Sequence, residues 1–424
     1  MSKDTGAARA AIEAGRTLPG STRIENRAGL IHALTEAAEL EHGLLVQYLF
    51  AALSMKRRPD EGVTVPQLER MREWEAQILR VAHDEMGHLG TVCNLLTAIG
   101  GAPHFGRPNF PVANRYFPTD DPATTGFVEF TLEPFSPGTV ARFVRFESPE
   151  PVPIADALVE PDLRYPTIGR LYSLIADAFS QLDEASLFIG PQTDQDTDDW
   201  SLGLRLFNVV DARSAVRAIR SIVEDGEGLP AGGADSHWVR FQQVQVELEE
   251  AVTADPGFSP ARPVVPNPLT RPHFESPAAG VIDDPYSRRV SELFSWVYES
   301  MLLMLMQYYA FAGETAQQRT GLRATIRHLM SGVVRPLGEV LTELPAGPSY
   351  PGRTAGPPFE LFTDLRLPAN RVNAWALFHE RLAQAAAECE SLATEPEAPD
   401  RLAFLAENLR LATAGVGRSR ALGG

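Results

Sequence analysis

The chain has 424 residues, 44% hydrophobic and 22% charged, an ordinary globular balance with length for two or three domains. A formal net charge of -17 argues against nucleic acid and anionic membrane surfaces as partners. The most apolar short run, Met301 through Met306, falls far below the ~20 residues of a membrane span. Cys93 and Cys389 are too few and too far apart for a disulfide framework or a cysteine-rich metal site, and Cys93, on a helical stripe, reads as a buried inert thiol. Met1 to Gly20 holds no continuous apolar core of a secretory signal, so a soluble cytoplasmic protein is expected.

From Arg27 to Met55, Leu30, Leu34, Ala37, Ala38, Glu41, Leu45 and Tyr48 recur at helical spacing. A turn with Pro59, Gly62 and Pro66 leads into a second long helix over 67–99, closed by Gly100-Gly101 and Pro103. So short a link makes the two helices antiparallel neighbours. Residues 101–165 are rich in Pro and Phe and read as an irregular insertion with a short helix near 138–147. Helical patterning returns at 166–189, resumes from about 203 with its strongest stretch at 211–225, and starts again behind an Asp235-Ser236 cap to run to about Val252. A Pro-rich connection over 253–285 separates this part from further helices at 287–312, 316–344, 369–391 and 399–413. The expected organisation is therefore a mainly α chain. A helical bundle spans 27–252 with its insertion at 101–165, and a C-terminal helical domain at 286–415 packs on it.

Charge sits where core is expected. On the second helix, Ile78, Val81, Ala82, Leu89, Val92 and Leu96 share a face with Glu85, and His88 lies one turn further on that face. Glu41 interrupts the apolar stripe of the first helix. Buried charge is costly unless paired or bound to metal. A Glu-x-x-His pair facing a Glu on a neighbouring helix is the half-set used by dinuclear sites in four-helix bundles; the other reading is a buried polar network in which Glu41 and His88 satisfy each other or pair with Arg170 or Arg220. For the second half-set the candidates are Glu224, Glu227 and His237. Glu224 also has Arg220 one turn away as a surface partner. Tyr172 is most simply core, and Glu299, His328 and Glu339 read as structural.

Several short motifs together resemble the ferritin-like superfamily. They are Glu39-Leu40-Glu41-His42 with Tyr48-Leu49, Asp84-Glu85-Met86-Gly87-His88-Leu89, Asn94-Leu95-Leu96, and Ala98-Ile99-Gly100-Gly101-Ala102-Pro103. Thr167-Ile168-Gly169 with Tyr172, Gly226-Glu227-Gly228, and Ser236-His237 followed by Phe241 are similar to the branch found in violacein and rebeccamycin biosynthesis, the iminophenyl-pyruvate dimer synthase type. The resemblance covers about 27–250. It implies a metal-carrying four-helix bundle with Glu41, Glu85 and His88 as the first ligand half. Glu224-x-x-Glu227 stands where the superfamily has Glu-x-x-His, so His237 is the proposed replacement, and Arg170 occupies a position where an acidic ligand is sought. Iron, favoured as a di-iron centre, suits carboxylates and imidazoles, as do manganese and zinc; some members of the branch are associated with haem. The implied function is a metal-dependent oxidoreductase that uses dioxygen or peroxide on a small amino-acid-derived substrate, as a monomer or dimer. Iron storage in a shell, or a degenerate bundle acting as a binding protein, are the alternatives.

Overall fold

The computed structural model describes residues 23–113, 116–117, 128–149, 168–198, 200, 202–226, 235–272, 280–310, 313–363, 365–368 and 370–422. Helix α1, Arg27–Ser54, starts where the Asn26 side chain accepts the Gly29 N–H at 2.9 Å. Helix α2, Val65–Ala98, starts at a capping box between Thr64 and Gln67 with Pro66 in the first turn. From Leu40 to Ser54, α1 is buried on every side except at Leu49, so its two flanks face different neighbours. That is why adjacent residues of this helix serve two different cavities, described below.

Helices α3 (Pro137–Phe146), α4 (Ile168–Gln181), α5 (Glu184–Leu187), α6 (Ala212–Gly226) and α7 (His237–Ala254) complete the first half of the chain. α1 packs on α2 and α4, α6 packs on α4 and α2, and the ring closes as a four-helix bundle. α3 and α7 pack on each other beside it. Tyr48 of α1, Phe143 of α3 and Phe241 of α7 lock these three helices together, with ring centroids 4.7 to 5.3 Å apart.

The helix expected from about 203 begins only at Ala212. The segment before it is extended and lies across α2. Asn94 clamps it, donating to the carbonyls of Asp196 (2.6 Å) and Phe207 (3.0 Å) and accepting the Asp196 N–H (2.9 Å). Gly90 makes room for it: a methyl carbon there would stand 2.8 Å from both Leu206 and the Tyr309 hydroxyl. The helical pattern expected over 166–189 breaks after Gln181, leaving α5 as a separate turn.

The Pro-rich connection runs back along the end of α1, where Lys56 and Arg262 exchange backbone bonds with Pro260 and Ser54. It includes a two-residue parallel pair, β1 (Pro268–Leu269) with β2 (Gly280–Val281). Helices α8 (Pro285–Tyr309), α9 (Ala316–Leu329), α10 (Arg335–Leu341), α11 (Arg371–Ala393) and α12 (Arg401–Ala421) follow. α8, α9, α12 and α11 pack in a second closed ring, while α8 touches α2 and α10 touches α1. Buried apolar side chains run without a break from Ile24 through to Val416.

The helix expected over 316–344 is not continuous. A π-turn, Met330–Val334, separates α9 from α10, and Arg335 donates back to the Met330 carbonyl. Pro336 is the cause. It has no N–H for the carbonyl of Gly332, four residues earlier, and the Asn408 side chain serves that carbonyl instead at 2.9 Å. Glu299, His328 and Glu339 all have structural partners: Arg381 and Thr363, the Asn408 carbonyl, and Arg335 with Arg401. Among the described residues no helix is long and apolar enough to cross a membrane.

Candidate metal centre

Glu41, Glu85 and His88 converge in the bundle interior, all at most 6% exposed. His88 Nδ1 lies 2.9 Å from Glu85 Oε2 and 3.6 Å from Glu41 Oε2. A second group shares one member with the first: His237 Nδ1 lies 3.1 Å from Glu85 Oε1 and 3.6 Å from Glu147 Oε2. In each triad the candidate ligand atoms fall within 4.8 Å of one another. Glu85 therefore offers one oxygen to each side, and the two imidazoles stand 5.5 Å apart, centroid to centroid. A cavity of about 30 Å³ opens between Glu41, Glu85, His88 and Glu147, walled by Leu44, Phe146, Ile168 and Ile222. That is room for a water-sized species.

The local folding explains each placement. Glu85 and His88 sit one turn apart on the buried face of α2, and Glu41 lies on the flank of α1 that faces the bundle. Glu147 caps the C-terminus of α3, one turn beyond Phe143, so the aromatic lock described above also places this carboxylate. His237 is the first residue of α7, held by the Ser236 cap, with Phe241 one turn behind it in the same lock.

Further groups orient these side chains. The Tyr172 hydroxyl donates to Glu41 Oε1, and the Tyr48 hydroxyl donates to Glu147 Oε1. Each imidazole has a carboxylate on its far nitrogen: Asp225 Oδ2 is 3.7 Å from His88 Nε2, and Asp84 Oδ2 is 3.5 Å from His237 Nε2. Carboxylates placed behind ligating imidazoles fix the tautomer and raise basicity at metal centres.

Electrostatics follow from the burial. Burial first, then the charge of Glu85, raise the Glu41 carboxyl to about 7. Burial opposes ionisation of Glu85 as well, but His88 and His237 outweigh it and hold that carboxyl below its usual value. Both imidazoles are pulled the other way. Burial works to lower them, yet Glu85 and the surrounding carboxylates lift both well above the ordinary imidazole value.

The residues fit a metal. His237 Nδ1, the ring nitrogen that faces Glu85 and Glu147, is buried without a hydrogen bond of acceptable geometry, although carboxylate oxygens surround it. Buried polar atoms are rarely left so, and a cation between imidazole and carboxylate lone pairs satisfies them. The donor set of oxygens and imidazole nitrogens suits iron, manganese or zinc.

Glu224 is exposed on α6 and belongs to neither triad; its neighbour Asp225 is the carboxylate that turns inward. The helical screw puts the two about 100° apart, and only one can face α2. Glu227 lies outside the described residues. Tyr172 is more than core packing, because its buried hydroxyl needs a partner and takes Glu41. Arg170 is exposed. Glu147 was not among the expected ligands. Its signal was present: Val140, Phe143 and Glu147 share one helical face, with Glu147 where the next apolar residue is expected.

The chain is 32% identical, over 82% of its length, to the 2-imino-3-(indol-3-yl)propanoate dimerase of Chromobacterium violaceum, covering 35% of that protein. It is 29% identical, again over 82% of its length, to the dichlorochromopyrrolate synthase of Lentzea aerocolonigenes, covering 37% of it. It thus spans about a third of the length of these relatives. A crystallised ferritin-like protein of Caulobacter vibrioides aligns with 71% of this chain and 94% of its own, at 21% identity and a TM-score of 0.46. The ferritin-like family model matches residues 34–246, the segment from α1 to α7 that carries every ligand candidate of both triads, and the chain belongs to the ferritin-like family.

Proposed function

We propose that the chain is a metal-dependent oxidoreductase with a dinuclear centre, acting on a small amino-acid-derived substrate. The observation that carries this reading is Glu85, one carboxylate placed between two separate triads. A bridging carboxylate is how bundle proteins hold two ions close together. Glu41 and His88 would hold one ion and Glu147 and His237 the other. Bound iron would supply electrons for the reduction of dioxygen or peroxide while the organic substrate is oxidised.

The chain's own groups do the rest. Tyr172 and Tyr48 keep Glu41 and Glu147 from swinging away. Asp225 and Asp84 stand behind the two imidazoles. Leu44, Phe146, Ile168 and Ile222 keep bulk water from the carboxylates, which strengthens their hold on a cation. Glu41 and both imidazoles are raised in proton affinity by burial and by the neighbouring carboxylates respectively, so an incoming ion competes with protons at these groups.

The substrate class rests on the relatives, whose names specify an indolyl imino acid for one and a chlorinated chromopyrrolate product for the other. For this chain a 2-imino acid derived from an aromatic amino acid is the substrate to test. The experiment loads the protein with iron(II) anaerobically, adds such an imino acid generated in place, and follows oxygen uptake and substrate loss together. Coupled loss that vanishes in Glu85→Ala and His237→Ala supports the reading. Oxygen uptake with no dependence on these residues refutes it.

A further inference from the structure

On the opposite flank of α1 and α2 lies a second and larger cavity, of about 300 Å³, sharing no lining residue with the metal centre. Glu41 faces one and its neighbour His42 the other. The larger cavity is closed by α8 and by the π-turn at Met330–Val334, so it forms where the two helical rings meet. Small-molecule sites favour such junctions and begin at about this size, roughly 300–1,000 Å³. π-turns inside helices are frequent at functional sites, and here Met330, Ser331 and Val334 of that turn all line the space.

The wall chemistry selects a ligand. Phe105, Trp200 and Tyr309 offer ring faces and edges, and Met86, Met301 and Met330 offer thioethers that favour aromatic partners. Two imidazoles stand in the wall: His42, whose Nε2 is shared with the Tyr298 hydroxyl, and His83, whose buried Nε2 has no hydrogen-bond partner among the described residues. Such an orphan loses free energy until a ligand or water reaches it. Two guanidinium groups border the cavity. Arg335 is already committed to Glu339 at 3.3 Å and Glu75 at 3.6 Å. Arg327, exposed at the rim, donates to the Trp200 carbonyl at 3.3 Å and has no carboxylate partner among the described residues.

We propose that this cavity is a binding site, independent of the metal centre, for one small aromatic carboxylate. Its ring lies among the methionines and aromatics, and its carboxylate pairs with Arg327. The site needs no ion, so it stands or falls separately from the oxidoreductase reading.

The test titrates the metal-free, full-length chain with 3-phenylpropionate, and in parallel with the neutral 3-phenylpropanol, by calorimetry. The acid should bind once per chain and at least tenfold more tightly than the alcohol, the worth of one charge-assisted hydrogen bond. Arg327→Gln should erase that tenfold difference and leave the alcohol unchanged. Leu49→Trp on the α1 wall and Leu305→Trp on the α8 wall fill the space, and each should abolish binding of both compounds. Two fillers from different walls guard against one failing to fold, and far-ultraviolet circular dichroism with a cooperative thermal melt reports that the helices are intact. Glu85→Ala should bind the acid normally. Absence of acid binding, equal affinity for acid and alcohol, or retained binding in a folded filler variant overturns the proposal.

Discussion

Tyr172→Phe removes one oxygen atom and leaves the ring of a side chain that is 1% exposed. What is lost is the hydroxyl that donates to Glu41 Oε1. Glu41 is 2% exposed, so water cannot take over freely. A hydrogen bond to a charged group contributes about 1.5–3 kcal/mol, and a buried oxygen left alone costs a similar amount. In the metal-free protein the carboxyl sits near neutrality in its ionisation, so the lower end of that range is expected at pH 7. At about 2.1 cal/mol/K of unfolding entropy per residue, each kcal/mol moves the melting midpoint of a 424-residue chain by roughly 1 °C, so a drop of about 2 °C is expected. The larger effect is on metal. A partner that orients a ligand is worth about ten- to a hundredfold in affinity, which chelator competition measures directly. Tyr48→Phe should do the same to the Glu147 side, leaving the first ion in place. Wild-type metal affinity in Tyr172→Phe, with the melting midpoint also unchanged, would refute the claim that Glu41 is held for coordination.

Metal uptake should depend on pH in one direction. His88 and His237 are raised and Glu41 reaches about 7, so below neutrality an ion must displace protons from all three. Affinity should rise as pH increases from 6 to 8, by roughly tenfold per unit for each proton released, and comparison of two buffers of different ionisation heat should count those protons. Glu224→Gln, at an exposed position outside both triads, should leave metal content unchanged in elemental analysis. Glu299→Leu strands the Arg381 guanidinium, which is 12% exposed, and should cost about 3–5 kcal/mol by denaturant melting, with part recovered when Arg381→Met is added.

Much of the bundle could be read from the residues because α1 and α2 obey every local rule at once: periodicity, the Thr64-Gln67 capping box, Pro66 in the first turn, and the glycines that follow. For the same reason Glu41, Glu85 and His88 stood out as charges on apolar faces. Glu147 did not, because it ends a short helix inside a Pro- and Phe-rich stretch, and nothing local says that this helix folds against α7. The segment before α6 has an equally physical explanation. Leu202, Leu204 and Leu206 alternate and suit an extended chain, which Asn94 holds down through bonds that no window of sequence contains. The break at 330–334 was signalled by Pro336, while the Asn408 side chain that makes the break tolerable lies far along the chain.

The shared carboxylate is the centre of the account, and metal-to-protein ratio measured by elemental analysis after anaerobic iron(II) loading tests it most directly. The wild-type chain should hold two ions, His88→Ala and His237→Ala one each, and Glu85→Ala none that survives gel filtration. A wild-type ratio of one or zero, or occupancy that stays the same in Glu85→Ala and both histidine variants, would contradict it.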